Sequence, residues 1–188
     1  MKRIVGIGNR FVAEDAAGPL VCDRLRARSL PADVEVVEGG LGGLDLLRFA
    51  EGAERVVFVD AMLSDAPRSA VRALDAAEVA ATAGSRFDHS AGLAYLLRVL
   101  PFACEGKVPE VAVVAIEGPA GDDALDEAAA LALRLAVEGL GATNGRGGSA
   151  GRPKEKPISF TALAREHALL AQEVRVARQA SDIAANLV

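Results

Sequence analysis

Asp15, Asp60 and His89 are the residues whose types and positions could do chemistry. Each follows an apolar run that reads as a strand, or stands at the start of a helix. Two carboxylates and one imidazole gathered at one place would form an open divalent-metal site. Zinc-like and nickel-like ions accept mixed oxygen and nitrogen donors, and three protein ligands leave a position for substrate or water. Each residue also has an ordinary reading. Glu14 and Asp15 would charge a helix N-terminus, Asp60 would cap the following turn, and Asp88 or Ser90 would cap a helix while His89 faces water.

The elements that must position them can be read from periodicity. Arg3 to Ile7, Val34 to Glu38, Arg55 to Asp60 and Val111 to Ile116 are short runs rich in β-branched residues, and Ser69 to Leu74 adds an edge strand. Between them the spacing predicts helices over Asp15 to Arg28, Gly43 to Ala50, Ser90 to Leu100 with Pro101 as its stop, and Leu125 to Leu140 closed by Gly139 and Gly141. Strands alternating with helices imply an α/β fold, a mostly parallel sheet covered on both faces. In such sheets ligands collect at the carboxyl ends of the strands. Asp60 is expected to end the third strand, Asp15 to follow the first across a loop, and His89 to precede the third helix.

Composition limits the function classes. The chain has 188 residues, 51% of them hydrophobic and 4% aromatic, so small aliphatic side chains must fill a real core. Its net charge of −5 divides unevenly: residues 142–188 carry +3, from seven Lys/Arg against four Asp/Glu, and residues 1–141 carry −8. A body this acidic is a poor nucleic-acid binder and suits a basic peptide or a metal-bearing partner better. Apolar runs are short and interrupted by charges, and Met1 to Gly8 lacks a signal-peptide stretch, which reads as a cytoplasmic protein outside the membrane. Cys22 and Cys104 have no CxxC spacing and read as free thiols.

Gly6-Ile7-Gly8-Asn9 after a strand invites a dinucleotide reading, but the third glycine of that fingerprint would fall at Phe11, and Glu14 and Asp15 would repel an anion. No nucleotide is expected. No serine stands in a nucleophile-elbow context, which argues against a serine-type triad around His89.

The run Gly6-Ile7-Gly8-Asn9-Arg10-Phe11-Val12-Ala13-Glu14-Asp15-Ala16-Ala17-Gly18, with Glu38-Gly39-Gly40-Leu41-Gly42-Gly43, Val59-Asp60-Ala61 and His89-Ser90-Ala91-Gly92-Leu93, resembles the [NiFe]-hydrogenase maturation endopeptidases in motif order and spacing. The resemblance covers about the first 140 residues. It implies a three-layer α/β/α enzyme that removes a short C-terminal peptide from the hydrogenase large-subunit precursor after nickel insertion. By motif position, Asp15, Asp60 and His89 match the acidic residues and histidine that bind or sense the metal, with nickel supplied by the substrate. The family's first loop usually reads Asp-Asp-Gly or Asp-Glu-Ala, whereas this chain has Glu14-Asp15-Ala16. The rival expectation is a metal-sensing binding module, a pseudo-protease that docks on a metalloprotein precursor without cutting.

After Gly141 the texture changes. Residues 142–157 have linker composition, and residues 158–188 read as a C-terminal helical extension. Leu163, His167, Leu170, Val174, Ala177 and Ser181 form a weak heptad seam that would dock on the body or self-associate. The expected division is a protease-like domain over 1–141, a linker over 142–157 and a helix over 158–188.

Overall fold

The computed structural model describes residues 1–62, 70–81, 91–104 and 107–143. The chain divides into two compact units, Met1–Asn144 and Gly145–Val188, and the described residues all belong to the first. The helix expected over 158–188, and all but the first two residues of the expected linker, lie outside the described residues.

Five strands form one sheet: β1 (Lys2–Ile7), β2 (Val34–Gly40), β3 (Arg55–Met62), β4 (Ala70–Asp75) and β5 (Glu110–Glu117), in the spatial order β2-β1-β3-β5-β4. The four β-branched runs are mutually parallel, and β4 runs antiparallel along β5 at the edge. The helices are α1 (Ala17–Arg26), α2 (Leu47–Ala50), α3 (Ala76–Ala81), α4 (Ala91–Ala103) and α5 (Asp122–Glu138).

Side chains alternate across a strand, so each strand serves two layers. Val57 and Val59 of β3 join Ile4, Val114 and Ile116 in a core with Val21 and Leu25 of α1 and the alanine face of α5, Ala128, Ala129, Ala132 and Ala136. The opposite register, Val56 and Phe58, is fully buried on the other face. That face belongs to the layer of α2, α3 and α4, where Leu46, Leu93 and Leu96 are also buried. The result is the expected three-layer α/β/α arrangement. With few aromatics, Phe58 is the largest fully buried side chain among the described residues. Its removal would cost about 3 to 5 kcal/mol.

Two arginines at the amino edge of the sheet hold helix ends. Arg3 donates to the carbonyls of Phe49 and Glu51 at the end of α2 (2.9 and 3.0 Å), and Arg55 donates to that of Ala136 at the end of α5 (2.7 Å). Each cation meets the negative end of a helix. The amino edge is therefore given over to fastening, and the carboxyl edge is left to loops.

Several expected boundaries move for local reasons. The helix placed over Asp15 to Arg28 is a 3-10 turn, Ala13–Asp15, followed by α1 from Ala17. The helix placed over Gly43 to Ala50 is likewise a 3-10 turn, Leu44–Leu46, and one turn of α2. β3 continues two residues past Asp60, because Ala61 and Met62 still pair with β5. Pro101 does not end α4. A proline near a helix end removes one backbone bond, and Cys104 N–H still reaches the Leu100 carbonyl at 3.1 Å. The edge strand expected over Ser69 to Leu74 is observed as Ala70–Asp75. The last helix starts at Asp122, three residues before the expected Leu125, and Gly139 closes it at φ +85°. α3 was not foreseen, although Asp75-x-x-Glu78 announces it: Glu78 N–H donates to Asp75 Oδ1 (2.7 Å) and Asp75 N–H to Glu78 Oε2 (2.9 Å), a reciprocal capping box.

α1 rests on the sheet backbone to backbone. A methyl at position 18 would lie 2.6 Å from the Ile7 nitrogen and 2.7 Å from the Val59 carbonyl oxygen, and closer still to the Ile7 carbonyl. Gly18→Ala is expected to destabilise the fold by about 3 kcal/mol or more, by overpacking against backbone that cannot yield. Gly141, with nothing within 4 Å, is the control. Urea denaturation of the two variants measures the difference, and Gly141→Ala should stay within about 0.5 kcal/mol of the parent.

Candidate functional site

The sheet order reverses between β1 and β3: the chain leaves β1 towards β2 on one side and returns to β3 on the other. A crevice opens at such a switch point, at the carboxyl ends of the strands. Asp15 follows β1 and Asp60 lies in β3, so the two carboxylates flank the switch point.

Three glycines bring Asp15 there. Gly6 faces Gly18 so closely that a methyl would meet the Gly18 carbonyl carbon at 2.7 Å and the Cys22 Sγ at 2.5 Å. Gly8, at φ +127°, lies directly beneath the Asp15 backbone, and a methyl there would overlap the Asp15 carbonyl oxygen. The 3-10 turn carrying Asp15 consequently packs against β3. Asp15 Oδ2 accepts the Asn9 N–H at 2.8 Å. This bond ties the first loop into a closed unit, because Val12 N–H returns to the Asn9 carbonyl (3.0 Å) and Phe11 N–H to the Asn9 Oδ1 (3.0 Å). Asp15 is half-buried, and Glu14 beside it is exposed. Beyond the helix-end charge that its position suggested, the Asp15 carboxylate thus bonds back into the loop. The N-cap of α1 is Ala16, with no side-chain cap.

Asp60 is 2% exposed, and among the described residues it is the one buried charged group. It shares the register of Phe58 and Met62, which turns it toward the layer that contains α4. Burying a carboxylate is expensive unless it is paired or used. The candidate ligand Asp60, expected to end the third strand, instead lies buried inside β3, because Ala61 and Met62 continue the pairing, and the ordinary reading as a cap of the following turn does not apply.

His89 lies outside the described residues. α4, which begins two residues after it, is fixed to the same edge: a methyl on Gly92 would meet the Gly43 nitrogen and Cα at 2.7 and 2.8 Å. The glycine run thus has a packing role that spacing alone did not reveal. Gly39 and Gly40 are still strand, Gly40, Gly42 and Gly43 take φ of +69°, +84° and +86°, and the last of them receives the start of α4. Among the described residues no three His, Cys, Asp or Glu side chains form a metal-binding group. Two carboxylates are a fitting oxygen half of a donor set whose nitrogen would come from an imidazole. Cys22 is buried and forms no disulfide, and burial pushes its thiol up to about 11, which disfavours the thiolate form. Cys104 forms no disulfide either.

A charged bracket holds the first loop from outside. Arg10 bonds both oxygens of Asp23 on α1 (3.1 Å each) and Glu38 on β2 (2.8 Å), and Arg26 bonds the same Glu38 oxygen at 2.8 Å. Glu38 thus joins two arginines. Arg26 and Arg10 hold the Glu38 carboxyl below the usual carboxylate range, and Arg10 does the same to Asp23.

The family model of the hydrogenase maturation proteases matches residues 19–140. The chain is 30% identical over 105 residues to the hydrogenase 2 maturation protease of Escherichia coli K12, a match spanning 54% of this chain and 64% of that protein, just under two thirds of its length. It is 30% identical over 143 residues to a Methanocaldococcus jannaschii protein assigned to the hydrogenase maturation proteases, across 72% of this chain and 90% of that one. Among solved structures it is similar to the E. coli hydrogenase maturating endopeptidase HybD, with a TM-score of 0.58 and 25% identity over 70% of this chain and 89% of that one. Among the described residues no helix is long and apolar enough to cross a membrane.

The bracket has a pH signature. Carboxylates whose folded pKa is depressed contribute stability that is present above their unfolded pKa and lost as pH falls through the folded one. Arg10→Gln removes a cation from both Asp23 and Glu38. Its melting temperature should fall below the parent's at neutral pH, and the gap should close as both are titrated from about pH 6 to about pH 3. Thermal melts at stepped pH measure this; a gap that widens in acid would contradict it.

Proposed function

The chain belongs to the hydrogenase maturation protease family, and from that membership we propose that it is an endopeptidase that removes the C-terminal peptide of a [NiFe]-hydrogenase large-subunit precursor after nickel insertion. The observation that carries the reading is the buried Asp60 carboxylate beside the switch point, with Asp15 delivered to the same edge by the loop after β1.

In this reading Asp15, Asp60 and His89 engage the nickel that arrives in the precursor and so fix the scissile peptide relative to the crevice. Two carboxylates and one imidazole make an incomplete cage, which suits recognition of a metal already held by another protein better than retention of the enzyme's own. Hydrolysis adds a water oxygen to the peptide carbonyl carbon, breaks the C–N bond and delivers a proton to the departing amine. A carboxylate at this edge can accept the proton of the attacking water. Free Cys22 takes no part, and the acidic charge of residues 1–141 suits a precursor segment bearing basic side chains.

Mass spectrometry of a nickel-loaded large-subunit precursor, before and after incubation with the protein, tests this directly. Asp60→Asn and His89→Ala should lower the cleavage rate at least about 100-fold, the lower range for loss of an acid–base group, with melting behaviour close to the parent's. An intact precursor with the parent enzyme, bound but uncut, would favour the metal-sensing module. Nickel-free precursor should stay uncut, and purified enzyme should hold far less than stoichiometric nickel by elemental analysis. Efficient processing without nickel would overturn the metal part of the reading.

The second unit, from Gly145 on, is proposed to be dispensable for chemistry, because the family match ends at residue 140. A chain ending at Asn144 should cleave a competent precursor at a rate near that of the full chain. A folded but inactive truncation would assign substrate capture to the tail.

A further inference from the structure

The carboxyl edge carries an apolar surface that neither the core nor the carboxylates use. Phe11 is 92% exposed, Leu41 68% and Val12 42%, on the two loops that follow β1 and β2. Those loops adjoin, since Gly8 N–H donates to the Gly40 carbonyl at 2.8 Å. An aromatic ring left almost wholly in water contributes nothing to folding, and several apolar side chains exposed together mark an interaction surface.

This surface is also pre-formed. The turn presenting Phe11 is closed by the two bonds to Asn9, anchored to Asp15, and braced by Arg10 against Asp23 and Glu38. Leu41 is turned out between Gly40 and Gly42, whose positive φ values an ordinary side chain rarely adopts. A rigid apolar tip loses little freedom on association, which favours affinity.

The charge around the tip identifies what it fits. Glu14 and Asp45 are exposed and carry no ion pair among the described residues, and Asp15 accepts the backbone N–H of Asn9. The cation on the same loop, Arg10, is already committed to Asp23 and Glu38. The uncommitted charges nearest to the tip along its two loops, Glu14 two residues after Val12 and Asp45 four residues after Leu41, are therefore acidic, with the exposed Arg48 beyond them on α2, and the complement of the tip is an apolar side chain flanked by lysine or arginine.

We infer that Phe11, Val12 and Leu41 form a docking surface for a basic-flanked apolar segment of the precursor protein, outside the peptide that is cut. The inference rests on the proposed processing function, and it extends it by assigning recognition to residues that touch no reacting atom. Because the loop after β1 carries both Phe11 and Asp15, docking at the tip would set the position of the precursor relative to the carboxylates.

The test uses the full chain and a purified nickel-loaded large-subunit precursor. Cleavage kinetics give KM and kcat, and titration calorimetry on an Asp60→Asn background gives binding without cleavage. Phe11→Ser combined with Leu41→Ser should raise both KM and Kd by roughly tenfold or more, as truncating apolar anchors does, with kcat within about twofold and an unchanged melting temperature. Asp45→Lys should weaken binding further and reduce its sensitivity to salt. Unchanged KM and Kd would overturn the docking surface. A fall in kcat at constant KM would overturn it too, because the turn would then act only by positioning Asp15. Loss of a parent dimer in light scattering, with precursor binding intact, would assign the surface to self-association instead. If the parent protein binds the precursor through this surface but never cuts it, the processing function fails while the docking surface stands.

Discussion

The close approach of α1 to the sheet is the constraint on which the rest of the carboxyl edge depends. Gly6, Gly8 and Gly18 have no side chain where strand, loop and helix backbones meet, and any Cβ at Gly18 would push α1 away from β1 and β3 together. Because Asp15 lies one turn before Gly18, such a shift would carry its carboxylate away from β3. Close packing here determines where a charge sits, a more demanding result than burying apolar area, since a displacement of about 1 Å is enough to spoil a catalytic geometry.

The two edges of the sheet divide the work. At the amino edge Arg3 and Arg55 fasten the ends of α2 and α5, and Glu110 accepts both Arg55 Nε (2.9 Å) and the Leu140 N–H (3.1 Å). At the carboxyl edge the polar bonds hold loops in place. Asp15 closes the first loop, Arg10 braces it from outside, and the glycine run receives the start of α4. Loops supported in this manner are rigid enough to present both the half-buried Asp15 carboxylate and an exposed aromatic ring.

Burial separates the two carboxylates in kind. Asp15 is reached by water and satisfied by a backbone N–H, whereas Asp60 is enclosed in the register that faces α4. A buried carboxylate is retained in a small core against its desolvation penalty only where its charge is used or paired. The buried carboxylate of β3 and the switch point of the sheet lie at the same edge, one through burial and the other through topology.

The sequence by itself determined the layers, because short β-branched runs and helical spacing encode which face of each element is apolar. It also determined Asp15 and Asp60 as candidates, through their places after strands. Local signals overrode the longer patterns at Asp75-x-x-Glu78, whose capping box starts a helix that periodicity did not mark, and at Pro101, where α4 continues because only one backbone bond is lost. Tertiary structure alone decided that Asp60 is enclosed, that Asp15 bonds back to Asn9, and that Gly92 packs on Gly43. Each of these joins residues whose separation in the chain carries no periodic signal, and each follows from how closely two backbones approach, a distance set only when the whole sheet is assembled.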